Sequence, residues 1–363
     1  MYGFIGVGQA GANISDLAKV SGFPSIAINY SSKDLNACNH IDEDDRLCLF
    51  GSEGVGKDRD LATSLMESNW ENCINFVQQR LDKPSIEVIF VVFSTGGGSG
   101  SGISPVLIDL LSNELLDKAI VACPILPDEN EFLVSQINTF NALKDINELD
   151  CCVLPIENRA IHGVGHKTNA YKSINQKFIS QLKYLVDTTS NKSTYTNLDS
   201  KDLKSLFMTT GFATIGDIQL VNEEFSVQWL NEAIKNSWNN GIYSDIKFDN
   251  LQKVGLIVTG NDQLIESTSL IDSLDSFSSK PLALFEGYYP HKTQKITTIL
   301  TGLSFNHQRL HQINRLIESK QPLLDEVNHD LENIKIATGI MPVSSKKKAK
   351  KRSYTEILSQ YKR

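Results

Sequence analysis

A run of glycines and serines, Gly96–Gly102 with the sequence GGGSGSG, separates an apolar segment from a helix-like segment. Val88–Phe93 precedes the run, and a helix-like stretch that starts at Pro105 follows it. Backbone N–H groups of such a loop approach phosphate oxygens closely because no Cβ intervenes, and the start of a helix adds a favourable dipole. The hydroxyls of Ser99 and Ser101 add donors. We predict a phosphate-binding loop, since a flexible linker rarely interrupts a strand-to-helix passage.

A second glycine motif, Gly6-Val7-Gly8-Gln9-Ala10-Gly11, follows the first apolar run of the chain. It fits G-x-G-x-x-G, the dinucleotide-binding fingerprint, which also needs an acidic residue at the end of the second strand to bind the ribose. The second strand-like run ends at Asn29 and continues with Tyr30, and neither residue is acidic. A dinucleotide fold also has no use for a second glycine loop. We therefore disfavour NAD binding and predict another phosphate-facing loop.

A third loop, Gly51–Asp58 with the sequence GSEGVGKD, is close to the P-loop pattern G-x-x-x-x-G-K-[ST]. Asp58 replaces the hydroxyl that binds Mg²⁺ in a true P-loop, so we do not assign one. Because it follows a third strand-like run, we predict a third phosphate-facing loop. Three loops at neighbouring strand ends are enough to surround a triphosphate.

These loops require a sheet whose strands end at one common edge. The first half of the chain alternates apolar strand-like runs with helix-like segments, which is typical of a parallel sheet covered on both faces. The predicted strands are Tyr2–Val7, Ser25–Asn29, Arg46–Phe50, Val88–Phe93, Ala119–Ile125 and Cys151–Pro155. The predicted helices between them are Ala12–Val20, Arg59–Gln79, Pro105–Asp117 and Glu131–Ile146. Ligands of such sheets bind at the carboxyl ends of the strands.

The 363 residues suffice for two domains with ample core, and we predict an α/β fold. The predicted parts are a parallel-sheet nucleotide-binding domain over 1–165, a central helix over 166–190, a smaller α+β domain over 191–305, helices over 306–341 and a basic flexible tail over 342–363. No apolar stretch approaches the roughly 18 residues that span a bilayer, and the first residues indicate a strand instead of a signal peptide. The six cysteines show no zinc or C-x-x-C spacing, which indicates reduced thiols in a cytoplasmic protein.

Charge is distributed unevenly along the chain. The last 20 residues have a net charge of +7, whereas the rest has −15, which together give the net charge of −8. The basic run lies at 346–352, and the segment that begins at Ser353 has the capping-box pattern Ser-x-x-Glu. A basic tail on an acidic body predicts a polyanion or an acidic surface as its partner.

Taken together, the three loops resemble those of the tubulin/FtsZ superfamily of GTPases. Its phosphate loop reads Gly-Gly-Gly-Thr-Gly-Ser/Thr-Gly, and Ser99 takes the Thr position here. The run Gly8–Asn13 resembles the first loop of the family, and Gly54–Lys57 falls where the family has a loop that contacts the γ-phosphate. Lys57 departs from the Asn or Ala of the family and adds a positive charge. The resemblance implies GTP and GDP as ligands, Mg²⁺ as cofactor and GTP hydrolysis as activity.

The resemblance also implies a site for the base and the ribose. Tyr171 and Asn175 are four residues apart on one face of the central helix, where the family stacks an aromatic ring on guanine and binds its edge with an amide. Asn158 matches a position near ribose and base, and the ribose acid is Asp128, Glu129 or Glu131, of which we select Glu129. The full set of implied nucleotide-binding residues is Gly8, Gln9, Ala10, Asn13, Asn29, Gly54, Val55, Gly56, Lys57, Gly96, Gly97, Gly98, Ser99, Gly100, Glu129, Asn158, Tyr171 and Asn175.

The segment Asn197-Leu198-Asp199-Ser200-Lys201-Asp202 resembles the Asn-x-Asp-x-x-Asp loop that follows the central helix in the family. By itself, Asp-x-x-Asp at the start of a helix is commonly an N-cap. In the family these carboxylates act in trans, so Asn197, Asp199 and Asp202 are the predicted catalytic residues of the neighbouring subunit's site. Hydrolysis then requires head-to-tail contact, which propagates as a filament.

The ends of the chain decide between branches of the superfamily. The short apolar peptide that closes FtsZ proteins and the acidic tails of other tubulins are absent, and the Lys-rich end resembles TubZ, the tubulin of plasmid and phage DNA partition. That resemblance implies a bacterial, plasmid- or phage-encoded protein. Its partners are further copies of itself, an adaptor of the TubR type bound by 344–363, and centromeric DNA through that adaptor. The alternative is a divergent FtsZ-like protein of cell division that forms a membrane-associated ring.

Overall fold

The strands and helices of the computed structural model follow the predicted alternation, and the structure describes residues 1–158, 167–220 and 225–320. The strands are β1 (Tyr2–Val7), β2 (Ser25–Asn29), β3 (Arg46–Cys48), β4 (Val88–Ser94), β5 (Ala119–Leu126), β6 (Cys152–Val153), β7 (Ile156–Glu157), β8 (Gly211–Leu220), β9 (Lys253–Gly260), β10 (Ala283–Pro290) and β11 (Gln294–Leu303). The helices are α1 (Gly8–Val20), α2 (Ser32–Asn36), α3 (Arg59–Leu81), α4 (Ser99–Glu114), α5 (Leu133–Ile146), α6 (Lys167–Thr189), α7 (Ser200–Phe207), α8 (Val227–Ser237), α9 (Asp262–Ser267) and α10 (Ile271–Leu274).

The strands form a mixed sheet in the order β10-β9-β11-β8-β6-β5-β4-β1-β2-β3, with β7 paired to β5. The half from β3 to β6 is parallel throughout, which confirms the predicted α/β class. Strand β8 continues this half by pairing in parallel with β6, and β11 pairs antiparallel with both β8 and β9. The sheet therefore runs without interruption between the segments predicted as two domains.

Apolar strands and an aromatic cluster form the core. β1 and β2 are buried along their whole length, and only the last residue of β4 is partly exposed. The Phe90 ring lies 5.1 Å from Tyr2, 5.3 Å from Phe4 and 5.3 Å from Phe207 between ring centroids. Aromatic pairs at such distances stabilise a core beyond the area they bury. They hold β1, β4 and the end of α7 together.

The central helix α6 packs on this core through one apolar face. Its residues Ile174, Phe178, Leu182 and Leu185 are buried, at spacings of four, four and three residues. This is the stripe that a 3.6-residue period requires. The predicted helix over 166–190 is therefore present over Lys167–Thr189.

Two helices begin earlier than predicted. α1 starts at Gly8 instead of Ala12, and α4 starts at Ser99 instead of Pro105. Gly8 and Gly11 thus lie in the first turn of α1, and Gly100 and Gly102 lie in the first turn of α4. The predicted strand Cys151–Pro155 is shorter, because only Cys152–Val153 pairs in the sheet.

Close backbone packing explains the early helix starts. A Cβ at Gly11 would overlap the carbonyl oxygen of Val92 in β4, and a Cβ at Gly102 would lie 2.7 Å from the Ala62 Cβ of α3. Glycine permits both approaches. The tertiary contact thereby outweighs the weak helix propensity of glycine.

The chain separates into two compact units, Met1–Leu310 and His311–Arg363. In the second unit the structure describes 311–320, which are helical. The predicted helices up to 341 and the basic tail 342–363 lie, beyond residue 320, outside the described residues. The domain boundaries stay a prediction.

We predict that Cys48 is the one thiol that reacts rapidly in the folded protein. It is exposed, whereas Cys38, Cys73, Cys123, Cys151 and Cys152 are buried. Burial raises the pKa of Cys73 and of Cys151 to about 12, which suppresses the reactive thiolate. Titration with a thiol reagent should give one fast-reacting group without denaturant and all six with denaturant. Loss of the fast group in Cys48→Ser supports the assignment, and a fast group that persists contradicts it.

Candidate functional site

The first and the main glycine loops lie against each other at the carboxyl edge of the parallel strands. Val7 and Phe93 are register partners, so β1 and β4 end side by side. Gly8 has φ +69°, and a Cβ there would lie 3.0 Å from the backbone nitrogen of Gly100. The starts of α1 and α4 are therefore in backbone contact.

Both helices begin without the side-chain cap that many helices have. No side chain caps α1 or α4, and neither has an acidic residue in its first turn. By contrast, α3 is capped by Asp58 and α8 by Ser226. Uncapped helix starts present N–H groups and a positive dipole end, which bind anions. Two of them side by side supply the N–H groups and dipole ends that suit a phosphate.

The two serines of the glycine run have different environments. The Ser101 hydroxyl donates to the carbonyl oxygens of Gly97 and Gly98, so it shapes the loop instead of facing a ligand. Ser99 is half-buried at the first position of α4. Of the two predicted hydroxyl donors, Ser99 is the one placed at the helix start.

The third loop packs directly on the glycine run. A Cβ at Gly98 would lie 2.6 Å from Val55 Cγ2 and 2.9 Å from Lys57 Cα. Gly54 and Gly56 have positive φ angles of 82° and 53°, and Lys57 has φ 67°. That conformation costs a residue with a Cβ about 1–2 kcal/mol. All three predicted phosphate-facing loops thus meet at one edge of the sheet.

Helix α5 contributes two residues that sequence reasoning missed. The Ser135 Oγ accepts a hydrogen bond of 3.0 Å from the Lys57 Nζ. The Asn138 Nδ2 donates to the carbonyl oxygen of Lys57 at 2.9 Å and to that of Gly97 at 3.3 Å. Both side chains are buried. Two polar residues on the buried face of an amphipathic helix are a signal that could have identified them.

The open space at this edge fits phosphate groups. A Cβ at Gly97 or Gly56 would meet no atom within 4 Å, whereas one at Gly98 or Gly100 would collide. The donors of these loops are backbone N–H groups and the Lys57 ammonium, which bonds to Ser135. The residues that the structure describes include no cluster of three or more His, Cys, Asp or Glu that could hold a metal ion. Mg²⁺ commonly keeps several water ligands and is bound through the phosphates of its nucleotide.

The predicted base-binding residues line the start of α6. Tyr171 and Asn175 are half-buried, and the Tyr171 hydroxyl is 3.5 Å from a Glu131 carboxylate oxygen. Burial and the neighbouring Glu131 carboxylate raise the pKa of the Tyr171 hydroxyl, so the phenol stays neutral. Asn13 is exposed on α1, and Asn158 follows β7 half-buried.

Two residues predicted to bind the nucleotide, Asn29 and Glu129, instead contact other residues of the fold. Asn29 is buried, accepts from the N–H of Tyr30 and donates to Asp34, so its amide serves the end of β2. Glu129 is 3.5 Å from the Arg309 guanidinium. A ribose bound by Glu129 would have to share this carboxylate with Arg309 or break the ion pair. Gln9, an exposed residue in the first turn of α1, is accessible.

The predicted catalytic loop lies at the opposite edge of the sheet, where the parallel strands begin. Lys201, in the first turn of α7, bonds through Nζ to Glu87 at 2.5 Å. Burial raises the pKa of Glu87, but the hydrogen bond and charge of Lys201 outweigh it and hold that pKa below its ordinary value. Glu87 directly precedes β4, whereas the glycine run follows β4. Seven residues of strand therefore separate the two features, or roughly 20 Å.

The three predicted catalytic side chains make local bonds within the monomer. Asp199 caps α7 by accepting from the N–H groups of Lys201 and Asp202, and Asp202 accepts from the N–H of Asp199 at 2.9 Å. The Asn197 amide binds back to the main chain of Ser193. Asn197 and Asp199 are exposed, and Asp202 is half-buried. The structure does not bring them near the glycine loops of the same chain.

Comparison with known protein families identifies the nucleotide that the site binds. Residues 3–166 match the Tubulin/FtsZ family, GTPase domain. This segment is a tubulin/FtsZ GTPase domain. The match spans the strands and the three glycine loops that form the anion site. It confirms the predicted superfamily, the GTPase activity and GTP as the nucleotide.

Relatives and solved structures extend the likeness beyond the GTPase domain. The tubulin-like protein CetZ of Pyrococcus abyssi is 26% identical over 83% of this chain and 84% of its own length. TubZ of Clostridium botulinum C phage is 22% identical over 91% of this chain and 87% of its own. The TubZ of Bacillus thuringiensis serovar israelensis, in GDP-form protofilaments, matches with a TM-score of 0.76 at 18% identity, covering 90% and 94% of the two chains. CetZ from Methanosaeta thermophila has a TM-score of 0.69 at 22% identity, covering 93% and 98%.

These comparisons refine the predicted branch. The tubulin/FtsZ fold extends across most of the chain, as predicted, and TubZ is among its structural neighbours. In sequence, however, the archaeal CetZ protein is more similar than the phage TubZ.

We predict that substitutions at two adjacent glycines separate the ligand space from the loop packing. Gly97→Ala should leave the melting temperature of the ligand-free protein unchanged but weaken GTP binding at least tenfold, because its Cβ meets no protein atom and occupies the open space. Gly98→Ala should lower both the melting temperature and the GTP affinity, since its Cβ collides with Val55 and Lys57. Thermal melts and nucleotide titration measure the two effects.

The control for this prediction is Gly241→Ala, whose Cβ would make ordinary contacts of 3.6 Å or more. It should change neither quantity. Unaltered GTP affinity in Gly97→Ala would contradict the placement of the phosphates.

Proposed function

We propose that this protein is a tubulin-like GTPase that assembles head to tail into filaments and hydrolyses GTP at subunit contacts. The observation that carries the proposal is the position of Asp199 and Asp202. Their loop lies at the amino edge of the sheet, roughly 20 Å from the phosphate loops at the carboxyl edge of the same chain. A subunit stacked along the strand direction presents one edge to the other, which assembles a complete site between two copies.

The likeness to filament-forming proteins supports the proposal. The similar TubZ structure from Bacillus thuringiensis is a protofilament, and a similar structure of CetZ2 from Haloferax volcanii is a GTPγS-bound protofilament. The exposed state of Asn197 and Asp199 is also consistent with a role towards a neighbour. In the monomer, these residues only stabilise their own loop and α7.

The proposed chemistry relies on positioning and charge. The uncapped starts of α1 and α4 and the Lys57 ammonium bind the phosphates of GTP. Asp199 and Asp202 of the next subunit orient the attacking water, and Asn197 adds an amide donor. Mg²⁺, when bound by the phosphates, neutralises charge that develops in the transition state. Tyr171 and Asn175 contact the guanine, and the acidic group Asp128, Glu129 and Glu131 supplies the ribose contact.

We further propose that the filament moves plasmid or phage DNA through its basic end. Residues 346–352 are six Lys or Arg around one Ala, a composition that favours phosphate or an acidic protein surface. The partner is an adaptor of the TubR type on centromeric DNA. No helix of the described residues is long and apolar enough to cross a membrane. The FtsZ-like ring protein remains the alternative, and its recruitment to a membrane distinguishes it.

We predict that neutral variants of the acidic pair uncouple binding from hydrolysis. Asp199→Asn and Asp202→Asn keep an oxygen acceptor for the α7 cap, since Asn is as good an N-cap as Asp. GTP affinity should stay within about twofold, hydrolysis should fall at least a hundredfold, and filaments should persist in sedimentation assays. Asp272→Asn, in the first turn of α10 and bonded to Asn231 of α8, is the control and should behave as wild type. GTP hydrolysis at the wild-type rate in both Asp199→Asn and Asp202→Asn would contradict the proposed role.

We predict that the basic end determines recruitment and not assembly. A chain that stops at residue 342 should polymerise with GTP as the full chain does, yet lose at least tenfold in affinity for a TubR-type adaptor on its centromeric DNA. Full-chain binding should weaken steeply as salt rises. Unchanged adaptor binding by the shortened chain would contradict the partition role, and binding of the full chain to anionic vesicles would favour the FtsZ-like alternative.

A further inference from the structure

The buried polar face of α5 holds two of the three phosphate-facing loops from behind. Ser135 and Asn138 are one helical turn apart, and their side chains contact the Lys57 loop and the glycine run. The packing is tight, because a Cβ at Gly96 would lie 3.1 Å from the Ser135 Cβ. α5 is therefore in direct contact with the backbone on which the anion site is built.

Lys57 is the residue that α5 constrains twice. Its main-chain carbonyl accepts from the Asn138 amide at 2.9 Å, and its ammonium donates to the Ser135 hydroxyl at 3.0 Å. The backbone of Lys57 is in the left-handed region, which side chains with a Cβ rarely adopt. Such conformations persist where the surrounding structure fixes them, and Asn138 provides that restraint.

The ammonium of Lys57 differs from the other nearby cation. Arg59, two residues further on, is buried and forms an ion pair with Asp145 of α5. Within the described ranges, Lys57 pairs with no carboxylate, and its partner is the neutral Ser135 hydroxyl. An ammonium bound to a hydroxyl gives up a modest interaction when an anion approaches, whereas one in an ion pair gives up more.

We propose that Ser135 and Asn138 determine how strongly the site prefers a nucleoside triphosphate over the diphosphate, by controlling Lys57. The inference rests on the proposed nucleotide site. Asn138 fixes the Lys57 backbone at the edge of the open space, and Ser135 holds the ammonium when no terminal phosphate is present. A terminal phosphate competes with the hydroxyl for this ammonium. Asn138 and Ser135 are positioning residues, since they act through Lys57.

This competition has a defined consequence for affinity. The diphosphate leaves the Lys57–Ser135 hydrogen bond intact, whereas the triphosphate exchanges it for a charged contact. Removal of the hydroxyl therefore strengthens triphosphate binding selectively. Removal of the ammonium lowers the preference, and the hydroxyl then becomes irrelevant to it.

The test is the ratio of the dissociation constants of GDP and GTPγS for the full chain, kept below the concentration at which it assembles. Competition against a fluorescent GDP analogue gives both constants. We expect Ser135→Ala to raise the ratio about fivefold, and Lys57→Met to lower it about tenfold, the size of one charge-assisted hydrogen bond. The double variant should equal Lys57→Met. Asn138→Ala should lower the ratio, with no further decrease in a Lys57→Met background.

The matched control is Ser64→Ala on α3, an exposed serine whose hydroxyl bonds only to the Leu61 carbonyl of its own helix. It should leave the ratio unchanged. A wild-type chain that binds both nucleotides, with equal ratios for wild type and Ser135→Ala, would overturn this inference and leave the proposed GTPase intact. A wild-type chain that binds neither nucleotide would overturn both.

Discussion

Direct backbone contact at Gly8, Gly98 and Gly100 is the constraint on which the site depends. A side chain at any of these positions would separate two helix starts or push away the loop that carries Lys57. Because the contacts are made by main chain, the N–H groups of α1 and α4 converge on one space without a side-chain cap between them. The anion site is thus a consequence of how tightly the helices pack on β1 and β4.

The same packing explains what sequence reasoning could and could not predict. Continuous apolar runs revealed the parallel strands, since a strand buried on both faces has no polar alternation. The start of α4 was misplaced at Pro105 because a glycine run has weak helix propensity, which contact with α3 overrides. Ser135 and Asn138 belong to no motif, so only the fold could place them beside Lys57.

Residues that belong to a recognisable sequence pattern were easier to find than to assign to a role. The Asp199–Asp202 spacing is a helix cap in the monomer, as that pattern alone indicates, and the resemblance adds a second role towards a neighbour. Both roles are compatible, because a cap uses the oxygens that face the helix start and leaves others exposed. Asn29 shows the opposite case, since its amide bonds to Tyr30 and Asp34 within the fold.

In the proposed mechanism, the separation of the phosphate loops and the acidic loop to opposite edges links hydrolysis to assembly. Mixing two impaired variants tests this most directly, at a GTP concentration too low to fill the Gly97→Ala site: Gly97→Ala, impaired in its own phosphate site, and Asp199→Asn, impaired in its own acidic loop. In a mixed filament, an Asp199→Asn subunit that holds GTP can meet the intact Asp199 of a Gly97→Ala neighbour. We expect the mixture to hydrolyse GTP at a substantial fraction of the wild-type rate although each variant alone does not. A mixture no more active than its components, in filaments shown to contain both, would contradict a site shared between subunits.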